Sequence, residues 1–473
     1  MLRTLTSEGV RRHVHWLIPL VAAWVWFCTV ANRSSELILS LNGVENYALA
    51  VFCQLFWGWS AFGEWAQTIH FGYVDAWMWS GHRVGWLPFM GWAYGLDPDP
   101  VWLTRIQIAV VSLGALPAWG MGRDEMGTRW GGYAGLLLYL GFPPLATMAL
   151  QDYQDLVLAI PFILGAVWLC RRGNTLGFLA MGLGAAMCRE ELVPMIVLIG
   201  LTHPGSIKDR IRWGIKAGLL AGAYGLLLWY LGRDFAGYDN PMMSHSGDML
   251  LSWPPVWTRE WSTFDGFYSA FLKPLHFLAF LSPITLLPGL GALFFHLTAP
   301  AHGGVDTAWS GHIHHMAPIV GFVIAATIQG AGQVVRWSAH LPRAMQRPII
   351  AVGALAGAAA TVTLAQPWIG YLELKPAMSL ETPADVAPEW AMISAIPSDA
   401  SVATDTHASL IIANRKHAYT YDESLADKRP GEGLSALEFI LVRKSHKSWI
   451  KEIQSAGGQA VDESKTYVLY DLR

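Results

Sequence analysis

Long apolar runs, separated by short polar connections, make up most of the chain before residue 370. Several of them approach the roughly 20 apolar residues that an α-helix needs to cross a bilayer. The runs that predict one span each are Trp16–Ala31, Val101–Met121, Gly131–Ala149, Leu156–Cys170, Gly214–Leu231, Met316–Val334 and Pro348–Ala365. Their length and lack of charge predict a polytopic α-helical membrane protein.

Two further apolar stretches carry a break near their middle. Thr175–Leu201 is interrupted by Arg189–Glu191, and Leu272–Ala299 is interrupted at Ser282–Pro283 and at Pro288. Because charged residues and proline both disturb a membrane helix, each stretch is predicted to form a pair of short helices. With each pair counted as two helices, the chain has about eleven spans.

From about Tyr371 the pattern changes to short helical and extended segments with polar connections. The helical segments are Ala387–Ala395, Ala408–Ala413 and His446–Ser455, and the extended ones are Ser401–Thr404, His417–Tyr421, Phe439–Val442 and Tyr467–Tyr470. This alternation predicts a soluble α/β domain over residues 371–473, which follows a membrane domain over residues 1–370.

Composition supports a membrane protein and excludes several other classes. Hydrophobic residues make up 53% of the chain and charged residues 14%, whereas soluble domains carry about 25% charged residues. Mean hydropathy is +0.33. These values exclude a soluble enzyme, a disordered chain and a secreted disulfide scaffold. The formal net charge of −3 predicts no nucleic-acid partner, and the four Cys lie in or beside apolar segments without the spacing of a metal site.

The distribution of Lys and Arg predicts which connections face the cytoplasm. Basic residues cluster at the N-terminus and in alternate connections, namely Arg123 and Arg129, Arg171 and Arg172, Lys208–Lys216, and Arg336–Arg347. The positive-inside rule places these segments in the cytoplasm. The outer side then receives long loops over residues 32–100 and 233–271, the tips Gln151–Asp155 and Arg189–Glu191, and the C-terminal domain. We therefore expect a bacterial inner-membrane protein with a periplasmic C-terminal domain.

Charges at the membrane edge are the strongest candidates for function, because placing them there costs free energy unless they are paired. Arg189–Glu191 lies between two arms too short to cross the bilayer, so this tip is expected below the outer surface. Two interpretations stay open: an Arg–Glu pair that satisfies itself at a helical hairpin, and a charged site in a cavity. On the neighbouring tip, Asp155 is explained as a helix N-cap, whereas Asp152 is a functional candidate.

The first outer loop adds further candidates, each of which could also be an ordinary solvated side chain. Glu45, His82 and Arg83 lie there among many aromatic residues. A late loop contains the run His312–His315, but no carboxylate or Cys lies near it in the sequence, so no metal site is predicted and His314 remains another candidate. An outer face with acidic and basic groups suits a reaction in which a carboxylate deprotonates an acceptor hydroxyl and Arg residues hold a lipid-linked phosphate.

The order and spacing of several motifs resemble a known family. Its first loop has an aromatic residue followed by Gln and Trp, then a His, a Pro–Tyr stretch, Pro-x-Pro and a Gln. The matching residues here are Tyr47, Gln54, Trp57, His82, Pro88, Tyr94, Pro98, Pro100 and Gln107. Its two charged tips match Asp152–Gln154 and Arg189–Glu191, its late His-to-Pro motif matches His314–Pro318, and its C-terminal motif matches Pro397–Val402. From about Tyr47 onwards the chain thus resembles the polytopic membrane proteins called domain of unknown function 2079, relatives of the C-type (GT-C) glycosyltransferases.

The resemblance implies a GT-C-like fold and transfer of a sugar from a polyprenyl-phosphate donor on the outer face. The implied partners are a lipid-linked sugar donor and membrane lipids, with no cofactor. Under this hypothesis Glu45 or Asp152 is the base, and Glu190 and His82 are further catalytic candidates. Arg83 and Arg189 bind the donor phosphate, and Glu190 positions Arg189.

Two departures from the family pattern favour a second hypothesis. The Asp that the family carries in its first loop is Ala48 here, and the His of its first tip is Gln154. The alternative is therefore a non-catalytic GT-C-like scaffold subunit of a larger membrane complex, with other membrane subunits as partners. A transporter ranks last, because the charges lie mainly on one side of the predicted membrane domain.

Overall fold

The computed structural model describes a mostly helical chain with a small sheet near its C-terminus. It describes residues 8–41, 46–65, 68–69, 84–150, 153–232, 278–298, 316–340, 342, 382–421, 434 and 437–473. The predicted span Pro348–Ala365 and the predicted loop over residues 233–271 lie outside these ranges.

Most helices before residue 340 follow the predicted apolar runs closely. In chain order they are α1 (Glu8–Leu39), α2 (Asn46–Phe62), α3 (Leu87–Leu96), α4 (Pro100–Leu113), α5 (Ala115–Met126), α6 (Arg129–Leu140), α7 (Pro143–Leu150), α8 (Ala159–Arg171), α9 (Thr175–Ala186), α10 (Val193–Leu201), α11 (Ile207–Gly232), α12 (Pro283–Thr298) and α13 (Ala317–Ala339). Short 3₁₀ turns at Asp155–Leu158, Glu190–Leu192 and Leu278–Leu281 lead into α8, α10 and α12.

Three helical segments of the described residues are long and apolar enough to cross a membrane. They are His15–Leu39 in α1, Pro100–Met126 across α4 and α5, and Ala317–Ala339, which is α13. The pair α6 and α7, bent by 49°, makes a fourth if it counts as one span. These segments make the chain a membrane protein, and the total of about eleven spans stays a prediction.

The structure confirms one broken helix pair and corrects two details of the pattern. Thr175–Leu201 forms α9 and α10 with a charged turn between them, as predicted. Pro288 does not break a helix, since α12 runs from Pro283 to Thr298 through it. Membrane helices tolerate an internal proline because neighbouring groups satisfy the carbonyl that loses its N–H partner.

The second correction concerns residues 32–100, which we predicted to be a long loop. In the described ranges this segment contains the end of α1 and all of α2 and α3. The 17 residues of α2 carry no Asp, Glu, Lys or Arg, and most of them are buried. The pattern missed this helix because it is shorter than the roughly 20 residues of a full span.

Helices α5 and α6 pack backbone to backbone through glycine. A Cβ placed on Gly122 would lie 2.2 Å from the carbonyl oxygen of Gly131, and one on Gly135 would lie 2.3 Å from that of Ala118. A carbonyl within a helix cannot move aside, so only glycine fits at these positions. Such close contacts between small residues are a common way for membrane helices to associate.

Gly135→Ala should therefore destabilise the protein by about 1–3 kcal/mol, the usual cost of overpacking. The matched control is Gly222→Ala in α11, where an added Cβ meets no atom within 4 Å. This control should be neutral or slightly stabilising, since alanine is the better helix former. Thermal unfolding of the purified protein in detergent measures both variants, and equal melting temperatures for the two would contradict the packing.

The C-terminal domain is a five-stranded mixed sheet with short helices. Its strands are β1 (Val402–Thr404), β2 (Ala418–Thr420), β3 (Phe439–Arg443), β4 (Gln459–Glu463) and β5 (Tyr467–Asp471), and its helices are α14 (Pro383–Ser394), α15 (Lys447–Ser455) and a 3₁₀ turn at Ser409–Ile412. The strand order is β2-β1-β3-β5-β4. Strand β1 is parallel to β2 and β3, whereas β5 is antiparallel to β3 and β4.

Each segment predicted for this domain has a counterpart in the structure, and one strand was missed. All five residues of β4 are exposed, so the strand has no apolar alternation by which the sequence could reveal it. The short segment Ala408–Ala413 is helical as predicted, in the form of the 3₁₀ turn.

Ion pairs divide the helical part into two ends. Glu125 in α5 pairs with Arg171 of α8 at 2.5 Å and with Arg336 of α13 at 3.3 Å, while the neighbouring Asp124 pairs with Arg172. Three connections predicted to share the cytoplasmic side thus meet in space. The start of α8 lies at the opposite end of the helical part. Asp155 precedes Arg171 by sixteen residues, which corresponds to roughly 25 Å along the helix.

Candidate functional site

The sequence-predicted site residues divide into two groups. Arg189 and Glu190 are among the described residues. Those that lie outside the described residues are Glu45, His82, Arg83, Asp152 and His314. The roles predicted for that second group therefore remain predictions. The structure describes the contacts of Arg189, Glu190 and the residues from Tyr153 to Asp155.

The two predicted tips meet in a buried ion pair between Arg189 and Asp155. The guanidinium Nη2 of Arg189 donates to Oδ1 of Asp155 at 2.8 Å, and its Nε donates to Oδ2 at 3.5 Å. Arg189 is 5% exposed and Asp155 is 1% exposed. The prediction that both tips lie on the same side of the membrane domain is thereby supported by a direct contact.

This pairing gives Arg189 a carboxylate partner that the sequence did not suggest. Asp155 hydrogen-bonds to Arg189, and the carboxylates of Glu191 and Glu190 also attract its guanidinium, so the positioning role predicted for Glu190 stays a prediction. Glu190 begins the 3₁₀ turn that leads into α10 and is half-buried, and the next residue, Glu191, is exposed. Adjacent residues point away from each other in an extended chain, which Arg189 adopts with φ −164° and ψ 146°.

Asp155 has a local role in addition to the ion pair. It is the first residue of the 3₁₀ turn that leads into α8, and its Oδ1 accepts a hydrogen bond from the backbone N–H of Leu156 at 2.9 Å. Asp155 is therefore not the N-cap expected from the sequence, because Gln154 is the N-cap of this turn and Leu158 that of α8. The same carboxylate also neutralises Arg189, which a pattern of neighbouring residues could not reveal.

The chain before Asp155 is fixed by a buried amide. The backbone N–H of Gln154 donates to Oε1 of Gln107 at 2.6 Å, and Gln107 is fully buried in α4. Gln107 lies seven residues after the start of α4 at Pro100, which corresponds to about 10 Å along the helix. The tip is therefore held roughly two helical turns below the start of α4.

Tyr153 completes what we call the tip cluster: Tyr153, Gln154, Asp155 and Arg189. Its side chain is fully buried, and its hydroxyl has no hydrogen-bond partner among the described residues. The ring packs edge-on against Phe52 and Phe56 of α2, with centroids 5.0 and 5.8 Å away. Buried hydroxyls without a partner are uncommon and costly in native proteins, which makes this one a candidate for a contact with a ligand.

Tyr153→Phe removes only this hydroxyl, so it separates the effect of the hydroxyl on stability from its effect on activity. The variant should be as stable as the wild type or up to about 1 kcal/mol more stable, because an unsatisfied buried polar group is removed. If the hydroxyl contacts a substrate, sugar transfer should fall at least tenfold in the same variant. Melting temperature and transfer rate together test this, and a variant that loses stability while keeping its activity would contradict it.

The C-terminal domain covers the same end of the helical part. Gln54 of α2 donates to the carbonyl oxygen of Arg415 at 2.9 Å, and Thr68 donates to that of Ala418 at 2.5 Å. Asn414 accepts a hydrogen bond from the hydroxyl of Tyr94 at 2.9 Å. These contacts are almost all buried, so the domain is fixed to α2 and α3.

A layer of aromatic rings lies between this domain and the ion pair. Tyr94, which contacts Asn414, packs on Phe56 with ring centroids 6.2 Å apart, and Phe56 packs in turn on Tyr153. The tip cluster is thus bounded by apolar rings on the side of the C-terminal domain. Low local polarity strengthens any charge interaction that Arg189 makes.

Arg189 retains hydrogen-bonding capacity beyond Asp155. A guanidinium has five N–H donors, and two of those on Arg189 point at the Asp155 carboxylate. The other three have no partner among the described residues. A desolvated guanidinium with open donors fits a phosphate or a carboxylate oxygen. The described residues contain no group of His, Cys, Asp or Glu arranged to hold a metal ion.

Comparison with known proteins identifies the chain's relatives. The model of the family described as "Predicted membrane protein (DUF2079)" matches residues 44–467. No curated protein matches the sequence. The crystal structure of ArnT from Cupriavidus metallidurans bound to undecaprenyl phosphate has a similar fold, with a TM-score of 0.56, 12% identity and coverage of 99% of each chain. The apo structure of the same protein gives a TM-score of 0.57 with the same identity and coverage.

Proposed function

The chain belongs to the DUF2079 family of predicted membrane proteins and is GT-C-like, and on that basis we propose that it transfers a sugar from a polyprenyl-phosphate donor at the outer face of the membrane. The fold that it shares with ArnT supports this proposal, since the ArnT structure contains undecaprenyl phosphate. Because one fold serves many activities, the residues of the tip cluster must support the function.

The observation that carries the proposal is the buried Arg189, three of whose donors have no hydrogen-bond partner among the described residues, together with Tyr153, whose buried hydroxyl also has none there. Asp155 offsets the cost of burying the guanidinium in the absence of a ligand. A donor phosphate would occupy the open N–H groups, and the hydroxyl of Tyr153 would contact the donor or the acceptor. Arg83 is proposed as a second phosphate ligand, as the family resemblance implies.

The acceptor requires a base, and the candidates remain those proposed from the sequence. Glu45 or Asp152 would take the proton from the acceptor hydroxyl, with Glu190 and His82 as further candidates. Glu190 is half-buried next to Arg189, which makes it the described carboxylate best placed for this role. His314 would contribute from the late loop.

The side of the membrane is part of the proposal. The basic connections near Glu125 would face the cytoplasm, and the tip cluster and C-terminal domain would face the periplasm of a bacterium with about eleven spans. Cysteine introduced at Ser455, which is exposed in α15, should react with an impermeant thiol reagent from outside intact cells. Reaction only after the cells are opened would contradict this orientation.

Lipid binding tests the donor assignment before any acceptor is known. Native mass spectrometry of the purified protein should show retention of undecaprenyl phosphate and at least tenfold weaker retention of undecaprenol, which has the same tail without the phosphate. The difference arises because only the phosphate can occupy the open donors of Arg189. Equal retention of the two lipids would show that the tail alone is recognised and would contradict the donor site.

The second candidate function is a GT-C-like scaffold that has lost its catalytic base. Ala48 and Gln154, at positions where the family carries Asp and His, favour it. A scaffold would co-purify stoichiometrically with other membrane proteins in mild detergent and would show no transfer. An enzyme would purify alone with bound lipid.

A further inference from the structure

The sheet of the C-terminal domain has a reversal of strand order that is typical of ligand sites. Strand β1 is parallel to β2 on one side and to β3 on the other, so the chain crosses from one flank of β1 to the other. In open α/β sheets ligands bind beyond the carboxyl ends of the strands at such a point. A ligand site is therefore expected among the residues that follow β1, β2 and β3.

A charged network fixes this edge. Asp405, directly after β1, is 3.4 Å from the Nε of Arg443 at the end of β3. Tyr467, at the start of β5, donates to both oxygens of Asp405 at 3.2 Å and accepts from Nη2 of Arg443 at 3.0 Å. Burial and the Asp405 carboxylate raise the pKa of the Tyr467 hydroxyl, which therefore stays protonated. The negative charge of Asp405 is thus already balanced by the positive charge of Arg443.

Next to this network lies a shallow groove that is largely open to solvent and has a volume of about 460 Å³. It is lined by Tyr421, Ser445, His446, Lys447, Ser448 and Trp449. Tyr421 follows β2 and is fully buried, and its hydroxyl is 2.9 Å from Nδ1 of His446. The indole of Trp449 packs on the Tyr421 ring at 4.6 Å and is half-buried, so one part of it faces solvent.

Lys447 gives the groove a positive charge at its edge. It is exposed, and the described lining contains no acidic residue. Two acidic residues of the described sheet region are already paired, Glu463 with Lys444 at 2.5 Å and Asp405 with Arg443. Lys447 would therefore attract an anionic ligand.

We propose that this groove binds a saccharide that carries an anionic group, either a carboxylate or a phosphate. The apolar C–H face of a pyranose ring packs on the exposed part of Trp449, since aromatic side chains offer large, rigid contact surfaces. The hydroxyls of Ser445 and Ser448 and the imidazole of His446 bond to sugar hydroxyls, and Lys447 pairs with the anionic group. This binding goes beyond the proposed transfer reaction, because it needs no residue of the tip cluster.

Saturation-transfer difference NMR on the full-length protein in nanodiscs tests the proposal with defined probes. Ring protons of a hyaluronan tetrasaccharide, which carries carboxylates, or of glucose 1-phosphate should receive saturation. Neutral maltotetraose should give signals at least threefold weaker. The two anionic probes distinguish a carboxylate ligand from a phosphate ligand. Transfer to AMP alone, or signals no stronger than from empty nanodiscs, would overturn the proposal.

Substitutions in the groove test whether the saturation-transfer signal arises from binding there. Trp449→Ala should abolish it and Trp449→Phe should keep at least half of it, whereas Trp337→Ala, at an exposed Trp of α13, should have no effect. Lys447→Gln should weaken binding of the anionic probes at least threefold. Its matched control is Lys416→Gln, which makes the same charge change before β2.

The experiment also separates this site from the proposed activity. A protein in which both Asp155 and Arg189 are replaced should bind the anionic saccharide normally, whether or not it transfers sugar. If instead that double variant loses the signal while Trp449→Ala keeps it, the saccharide binds at the tip cluster and the groove is not its site.

Discussion

Asp155→Ala is expected to destabilise the protein by about 3–5 kcal/mol, because it leaves the Arg189 guanidinium buried without its counter-charge. Arg189→Ala should cost a similar amount, since it leaves a carboxylate that is 1% exposed. The double variant Asp155→Ala/Arg189→Leu should recover much of this loss, because no lone charge remains. Chemical denaturation of the purified protein, followed by its intrinsic fluorescence, gives the three values.

A surface pair serves as the control for that cycle. Lys444 and Glu463 also form an ion pair, at 2.5 Å, but their side chains are 36% and 66% exposed. Exposed pairs contribute at most about 1 kcal/mol, so Lys444→Ala and Glu463→Ala should each have small effects. If the Asp155 and Arg189 single variants were as mild as these, the ion pair would not be buried as the structure shows.

Arg189→Lys is expected to lower the rate of sugar transfer at least a hundredfold while costing much less stability than Arg189→Ala. Lysine keeps the positive charge that Asp155 needs, but it lacks the planar set of donors that can hold a carboxylate and a phosphate together. The measurement compares transfer rate, undecaprenyl phosphate retention and melting temperature in this one variant.

The control for this substitution is Arg171→Lys at the opposite end, where Arg171 pairs with Glu125. It should leave transfer unchanged, because that end makes no contact with the tip cluster. An Arg189→Lys enzyme with wild-type turnover would show that a point charge suffices and that the open guanidinium donors have no role in binding the phosphate.

The sequence predicted much of the helical frame, because membrane helices can be recognised in a sequence by their long continuous apolar runs. It also placed the charged turn of Arg189 between two short helices and put both tips on one side. It failed for α2, which is apolar but too short to resemble a span, and for β4, in which every residue is exposed. In both cases the fold is decided by packing partners distant in the sequence.

The site was predicted less completely than the fold. Arg189 was identified, but its partner Asp155 lies 34 residues earlier and had been explained as a helix cap. One sequence signal could have found this pair. Both tips were predicted on the same side of the membrane domain, where Asp155 and Arg189 can meet. Tyr153 and Gln107 were matched to family motifs but were not predicted as site residues, because a buried aromatic and a buried amide look alike in a sequence whether or not they contact a ligand.

The most direct test of the central claim is transfer of a radiolabelled sugar from a polyprenyl-phosphate donor by the purified protein in nanodiscs, with total membrane lipids and cell-envelope glycans as acceptors. Label is expected in an acceptor product for the wild type, and at least a hundredfold less for Arg189→Lys at equal folded concentration. No product above the protein-free background, from a protein that retains undecaprenyl phosphate and co-purifies with other membrane subunits, would contradict the enzyme and favour the scaffold.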